Sequence, residues 1–90
     1  MNNTKKKQEL ELFKQEIPKL LLGEINNVNN ECLSIGDVEK YLNELGTNLD
    51  NYDSNGWQHD YWNSWNINGT KYTLGGSGYY GGISFSKDTD

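Results

Sequence analysis

The dipeptide Asn68-Gly69 most constrains how this chain can fold, because apolar and polar residues alternate on both sides of it. A two-residue type I′ turn needs positive φ at both central positions, and Asn-Gly adopts that conformation readily. Such a turn fixes the antiparallel register of its two strands and places Trp65 opposite Tyr72 on the core face. Successive strand residues point to opposite faces, so Trp62 is expected on the other side.

Period-two patterning predicts a three-stranded antiparallel meander over about residues 57–86. The Leu-Gly-Gly-Ser-Gly segment at 74–78 is typical of a loop or bulged turn between the second and third strands. The third strand is predicted from about 79 to 86, and residues 87–90 are expected to form a frayed tail. Two side chains of this third strand are expected to face the core, Ile83 and Phe85.

The first half of the chain predicts helices. Apolar residues at helical spacing form one stripe over residues 5–22, and they are Leu10, Phe13, Ile17, Leu20 and Leu21. Pro18 interrupts this segment, so the helix either kinks or breaks there, and the continuous phase of the stripe favours a kink. The asparagine-rich segment 23–32 is typical of a loop.

A second helix is predicted between Ser34 and Gly46, with a polar connector at 47–56 after it. Ser34 is a good N-cap, and Asp37 three residues later completes a shortened capping box. Gly46 is expected to end the helix in the left-handed conformation. The whole chain, 1–90, then forms a single α+β domain of ααβββ order, with a helical half at about 4–46 packed on the three-stranded sheet.

Composition narrows the classes of partner. The chain has 90 residues and a hydrophobic fraction of 33%, yet its 3 Trp, 6 Tyr and 2 Phe favour a folded domain over disorder. The formal charge is −5 and the chain contains no arginine, so direct nucleic-acid binding is not expected. A protein partner with a basic surface suits the acidic balance, and a homodimer is another way to cover exposed aromatic residues.

Few residues suggest chemistry. Cys32 is the single cysteine and His59 the single histidine, so no disulfide, metal site or cofactor site is predicted, and we expect a non-enzymatic protein. His59 and Asp60 are adjacent in a predicted strand and point to opposite faces, which argues against an acid–base pair. No apolar segment follows the N-terminal lysines and none is long enough to span a membrane, so a cytoplasmic location is expected.

The aromatic density around residues 57–65 and 79–80 exceeds what one face of three short strands can bury. Exposed Trp and Tyr are frequent hot spots of protein interfaces, and an acid at the rim sets orientation. The sequence therefore predicts a partner-binding site on the sheet, formed by Asp60, Trp62, Tyr79 and Tyr80. The alternative is that the surplus aromatic residues form a second cluster covered by the connector at 47–56.

The stretch from Ser34 to Lys87 resembles small accessory proteins of Gram-positive phages and mobile elements, which include anti-CRISPR proteins. Two segments carry the resemblance, Gly-Trp-Gln-His-Asp-Tyr-Trp at 56–62 and Gly-Ser-Gly-Tyr-Tyr-Gly-Gly at 76–82. The resemblance implies a stoichiometric inhibitor of a host defence protein. The aromatic and amide-rich composition leaves a second class open, a glycan-binding module in which Trp and Tyr stack on sugar rings.

Overall fold

The structure is a computed structural model that describes residues 3–53, 60–77 and 82–88. Within these ranges the chain forms two helices and five strands. In chain order they are α1 (Asn3–Leu21), β1 (Asn27–Asn30), α2 (Ile35–Leu45), β2 (Thr47–Asp53), β3 (Asp60–Ile67), β4 (Thr70–Ser77) and β5 (Ile83–Lys87). The strands form one antiparallel sheet in the order β1-β5-β4-β3-β2.

The α+β class is confirmed, but the predicted three-stranded ααβββ layout is wrong. The sheet has five described strands, and one of them lies between the two helices. The two additional strands, β1 and β2, occupy the two edges of the sheet, outside the central hairpin. Both segments were expected to be irregular because asparagine, aspartate and glycine favour turns.

The central hairpin of β3 and β4 has the predicted register. Trp65 lies opposite Tyr72, and the turn residues Asn68 and Gly69 have φ values of 55° and 87°. Positive φ at both positions is the requirement of the type I′ turn, and the Asn66 side chain accepts a hydrogen bond from the Gly69 amide at 2.9 Å.

The predicted loop at 74–78 is wrong for its described part. Strand β4 continues to Ser77, and both Gly75 and Gly76 remain paired with β3 and β5. A Cβ atom at Gly76 would lie 2.8 Å from the Gly82 carbonyl oxygen, so the fold needs glycine there to let β5 approach. The third predicted strand begins at Ile83 within the described residues, and Lys87, expected to be frayed, is its last residue.

Strand β1 forms in the segment that was predicted to be a loop. Its one apolar residue, Val28, is 1% exposed and pairs with Phe85 of β5. At the last residue of the strand, the Asn30 side chain accepts hydrogen bonds from the backbone amides of Cys32 and Leu33, at 2.8 and 3.0 Å. Asparagine therefore does make a turn here, but at the end of a strand whose one apolar residue is buried in the core.

Strand β2 forms where a connector was predicted, and a β-bulge at Leu49 interrupts its pairing with β3. At the bulge the Asn48 side-chain amide donates to the Ser64 carbonyl oxygen at 2.9 Å. Asn48 and Asn51 also exchange two side-chain hydrogen bonds. Side chains that favour turns thus stabilise the irregular edge strand, and the buried amide of Asn63 accepts from the Tyr52 backbone at 3.3 Å.

The helices agree with the sequence more closely. Helix α1 continues through Pro18 without a break and ends at Leu21, one turn later. Helix α2 begins after Ser34, whose backbone amide donates to the Asp37 carboxylate at 2.8 Å, as the shortened capping box predicts. Lys6 of α1 reaches the same carboxylate at 3.1 Å and so connects the two helices.

Gly46 does not end α2 in the predicted left-handed conformation. Its φ and ψ are −159° and −163°, so the chain passes directly from the helix into the extended backbone of β2. Glycine is needed for a different reason, since a Cβ atom there would lie 2.1 Å from the Asn66 carbonyl oxygen and 2.8 Å from Ile67 Cγ1. The residue permits α2 and β3 to approach closely.

The core lies between the helices and one face of the sheet. Phe85 is fully buried at its centre and contacts three aromatic rings, those of Phe13, Trp65 and Tyr72, at centroid distances of 6.4, 6.4 and 5.6 Å. The Trp65 indole also donates to the Asn43 side chain of α2 at 2.7 Å. Aromatic side chains bury large areas, so this cluster compensates for the scarcity of aliphatic residues.

Substitution of Gly46 by alanine should destabilise the protein because the new methyl group overlaps backbone atoms of β3. We expect a loss of about 1–3 kcal/mol in the free energy of unfolding, the usual range for overpacking. Gly36→Ala is the matched control: it lies in α2 with no neighbouring atom within 4 Å of the added Cβ, and should gain about 0.5–1 kcal/mol. Urea unfolding measures the free energy of unfolding of both variants. Equal values for the two would contradict the close approach of α2 to β3 at Gly46.

The Lys6–Asp37 contact should make stability depend on acid pH. Burial by itself raises the pKa of Asp37, but hydrogen bonds from Ser34 and Lys6 and the Lys6 charge hold that pKa below its ordinary value of 3.8. The carboxylate therefore stabilises the folded state above about pH 3.8, and this contribution is lost as the pH falls through the lower folded-state pKa. The free energy of unfolding of Asp37→Asn, measured in urea, should be lower than that of the parent by a constant amount near neutral pH.

Below pH 3.8 the difference between the parent and Asp37→Asn should shrink. Glu39→Gln changes an exposed carboxylate on the same helix and serves as the control, with no such convergence expected. A gap between the parent and Asp37→Asn that stays constant down to pH 2.5 would refute the role given to the Asp37 charge.

Candidate functional site

Both helices contribute buried side chains to one face of the sheet, the face that carries Trp65. The opposite face is not covered by either described helix, and we call it the open face. Backbone register arranges its residues in rows that cross all five strands. Two adjacent rows differ sharply in character.

The first row, which we call the aromatic row, contains Tyr52, Trp62, Gly75, Ser84 and Asn29 in spatial order. The rings of Tyr52 and Trp62 contact each other across β2 and β3, with centroids 5.3 Å apart and planes tilted by 43°. They remain 56% and 47% exposed. In the predicted alternative the connector at 47–56 covers the surplus aromatic residues; of that segment, Tyr52 contacts Trp62 and leaves it about half exposed.

The second row contains, in spatial order, Asp50, Ser64, Thr73, Ser86 and Asn27. Lys71 of the next row partly balances the negative charge here. The Lys71 ammonium lies 4.0 Å from the Asp50 carboxylate and 3.6 Å from that of Asp88. The Thr73 hydroxyl donates to Asp88, and the Ser64 hydroxyl lies 3.5 Å from Asp50. These contacts cover Ser64, which is 4% exposed although it belongs to the open face.

A groove of about 520 Å³ lies beside Trp62 on the open face. Its described lining residues are Asn29, Asn30, Glu31, Tyr61, Trp62, Gly75, Gly76, Gly82, Ile83 and Ser84. Most of this lining is apolar, because glycine and aromatic carbon form the walls. Its polar side chains come from β1, from the residues after β1 and from Ser84 of β5.

The asparagine side chains of this groove already have partners. The Asn30 amide oxygen accepts from two backbone amides, and its nitrogen donates to Glu9 at 2.8 Å. Asn29 donates to Asn27 at 2.7 Å. The carboxylate side chain of Glu31 is exposed, and none of the described residues that line the groove is a lysine.

Of the four predicted site residues, the structure describes one in full and the backbone of a second. Trp62 lies on the open face, as expected, and is half exposed. The backbone of Asp60 begins β3 opposite Ser77, but its side chain lies outside the described part of the structure. Tyr79 and Tyr80 also lie outside the described residues, so their predicted part in the site stays a prediction.

Sequence reasoning missed two residues of this surface, Tyr52 and Gly75. Tyr52 lies in a segment whose Asn and Asp content predicted a connector, and its place beside Trp62 depends on pairing between β2 and β3. Gly75 was assigned to a loop, whereas it lies in β4 directly opposite Trp62. A glycine pair in a run that otherwise alternates was the available signal, since glycine inside a strand often marks close approach by another group.

Within residues 3–53, 60–77 and 82–88, no group of three or more His, Cys, Asp or Glu side chains is arranged to hold a metal ion. Cys32 is exposed, and His59 lies outside the described residues. Among the described helices, neither combines the length and apolar character required to cross a membrane.

Comparison with known proteins adds no relative. No family model, curated protein or solved structure matches this chain significantly. A function for this chain is therefore inferred from the residues of the open face.

The two tryptophans should respond differently to truncation. Trp65 is 1% exposed in the core, so Trp65→Ala should cost about 3–5 kcal/mol and leave little folded protein. Trp62 contacts mainly one exposed ring, so Trp62→Ala should cost less than about 1 kcal/mol. Thermal unfolding followed by circular dichroism measures both, and the reverse order of stabilities would mean that the two sheet faces are exchanged.

Proposed function

We propose that this protein is a non-enzymatic binding protein that docks on another protein through the aromatic row of its open face. The observation that carries the proposal is the exposed Tyr52–Trp62 pair, held on a paired sheet rather than on a loop. Large aromatic side chains on rigid elements lose little conformational entropy on binding, and they supply much of the energy of protein interfaces.

The size of the open face suits a protein partner. Five strands at their usual spacing and length present about 500 Å² of sheet surface. A standard interface takes about 800 Å² from each partner, so a protein that covered this face would extend past at least one edge of the sheet. Tyr52 lies on the edge strand β2, so a partner that extends past this edge keeps Tyr52 inside the contact area.

Charge favours a basic partner surface. The chain has a formal charge of −5, and the ionic group on the open face combines two aspartates with one lysine. An acidic surface speeds association with a basic partner and disfavours an acidic one. The same charge supports a protein partner over direct binding to nucleic acid.

The polar groups near Trp62 favour a protein over a glycan. Sugar recognition requires donors and acceptors free to bond hydroxyl groups, alongside an aromatic platform. Asn29 and Asn30 instead use their side chains within the protein, as do Ser64 and Thr73 on the neighbouring row. A surface that offers apolar contact and few uncommitted amides suits a protein side chain better than a sugar ring.

The narrower form of the proposal is a stoichiometric inhibitor of a host defence protein, such as an anti-CRISPR protein, acting in the cytoplasm of the host cell. Its support is the resemblance of residues 34–87 to small phage accessory proteins. A binding protein of this size inhibits by covering a functional surface of its target, which requires tight contact and no catalytic group.

The proposal predicts that truncation of Trp62 weakens partner binding without unfolding the protein. The tagged protein would be used to capture its partner from the native host, and the purified pair would then be titrated by calorimetry. Trp62→Ala should raise Kd about 30-fold or more, which corresponds to the 2 kcal/mol threshold of a hot spot. Tyr52→Ala should also weaken binding, and the double variant should lose less than the sum because the rings touch.

Leu12→Ala is the matched control. Leu12 is apolar, and its exposed fraction of 49% is similar to the 47% of Trp62. Unlike Trp62, it lies on helix α1. Its truncation should leave Kd unchanged. Loss of binding in Leu12→Ala with retention in Trp62→Ala would move the site to the helices and refute the proposal.

A further inference from the structure

The glycine at position 75 leaves room for the groove on the open face. Gly75 lies in β4 between Trp62 of β3 and Ser84 of β5, where a side chain would project from the aromatic row. Glycine lacks that side chain, so the Trp62 indole and the strand backbone form a shallow trough beside it. This trough is part of the groove of about 520 Å³.

The fold does not require glycine at this position. The nearest atoms to a Cβ built on Gly75 are Trp62 Cδ1 at 3.8 Å and the Tyr61 carbonyl oxygen at 3.9 Å, which are ordinary contacts. The φ angle of Gly75 is not positive, unlike those of Gly69 and Gly82. Glycine inside a strand weakens the strand, so its presence here without a steric need indicates a use for the open space.

Charge and polarity identify the chemistry that fits this groove. Trp62 offers an aromatic face, and aromatic rings pair favourably in tilted or offset geometry. Glu31 adds negative charge that no described lysine of the lining neutralises. These features together fit an aromatic side chain flanked by basic residues.

We infer that the groove receives an aromatic side chain from a basic loop of the partner protein, with the ring against Trp62 above Gly75 and a lysine or arginine beside Glu31. This inference rests on the proposed protein-binding function and specifies the partner's chemistry. It also makes Gly75 a specificity-determining residue, because any larger side chain there occupies the position of the partner's ring.

Short capped peptides test the groove without knowledge of the partner. The probes are acetylated, amidated Lys-Phe-Lys, Lys-Ala-Lys and Glu-Phe-Glu, with cellobiose as the sugar probe, and the readout is amide chemical shifts of labelled protein. Lys-Phe-Lys should shift the amides of Gly75, Gly82 and Ser84, and should bind at least tenfold more tightly than Lys-Ala-Lys. Glu-Phe-Glu should bind roughly two- to fivefold more weakly than Lys-Phe-Lys, and Glu31→Lys should reverse that preference.

Filling the groove should abolish peptide binding while the fold is kept. Gly75→Val should lose the Lys-Phe-Lys shifts and melt at or above the parent temperature, since valine favours strands. Gly75→Ala adds the single carbon that fits at 3.8 Å and should weaken the same peptide even if valine disturbs the fold. Gln15→Leu adds apolar bulk at an exposed position of α1 and should leave the peptide affinity unchanged.

Several outcomes would overturn the inference. Shifts of the groove amides by cellobiose but not by Lys-Phe-Lys would assign the groove to a sugar, and unchanged peptide binding in Gly75→Ala and Gly75→Val would place the ring elsewhere. Partner capture that survives Gly75→Val but not Trp62→Ala would refute the groove occupant and leave the proposed function standing. Capture that is indifferent to both substitutions would refute the two together.

Discussion

The type I′ turn at Asn68-Gly69 is the constraint on which the rest of this structure depends, because it sets the register of β3 against β4. A shift of one residue would move Trp65 to the open face and bring Trp62 into the core. Phe85 contacts Trp65 and Tyr72 together, so its central place in the core follows from the same register. Both helices then pack where those rings lie, and neither described helix covers the opposite face.

The sequence was sufficient to predict the elements whose signals are local. The hairpin has an Asn-Gly turn, α2 has its capping box, and α1 has an apolar stripe that continues in phase past Pro18. The edge strands have no comparable local signal, because β1 depends on the pairing of Val28 with Phe85 across the sheet. In β2 the residues that favour turns stabilise a bulge instead. Both segments do contain residues that favour turns, but pairing with neighbouring strands makes them part of the sheet.

In the candidate site, too, residues with a local signal could be predicted and residues placed by strand pairing could not. Alternation along β3 was enough to place Trp62 on the exposed face, since that inference needs one strand and its register. Tyr52 reaches the site from β2, whose pairing with β3 no local pattern indicates. Gly75 lies opposite Trp62 in the same register that the Asn68-Gly69 turn predicts, but its glycine-rich segment favoured a loop over a strand. Gly46 shows the related difficulty for single residues: the sequence indicated that glycine was needed, but its reason is contact with β3 rather than a left-handed cap.

The two rows of the open face differ in how far their side chains already have partners within the protein. Around Lys71 the charged and hydroxyl groups contact one another, so that part of the face is weakly charged overall and already desolvated at Ser64. Beside Trp62 the aromatic carbon remains in water and Gly75 leaves a groove, although a side chain there would fit and strengthen the strand. A sequence selected for stability alone would fill that position. An internally bonded row beside an exposed aromatic row is the arrangement that the proposed binding function uses, with the aromatic row supplying the contact.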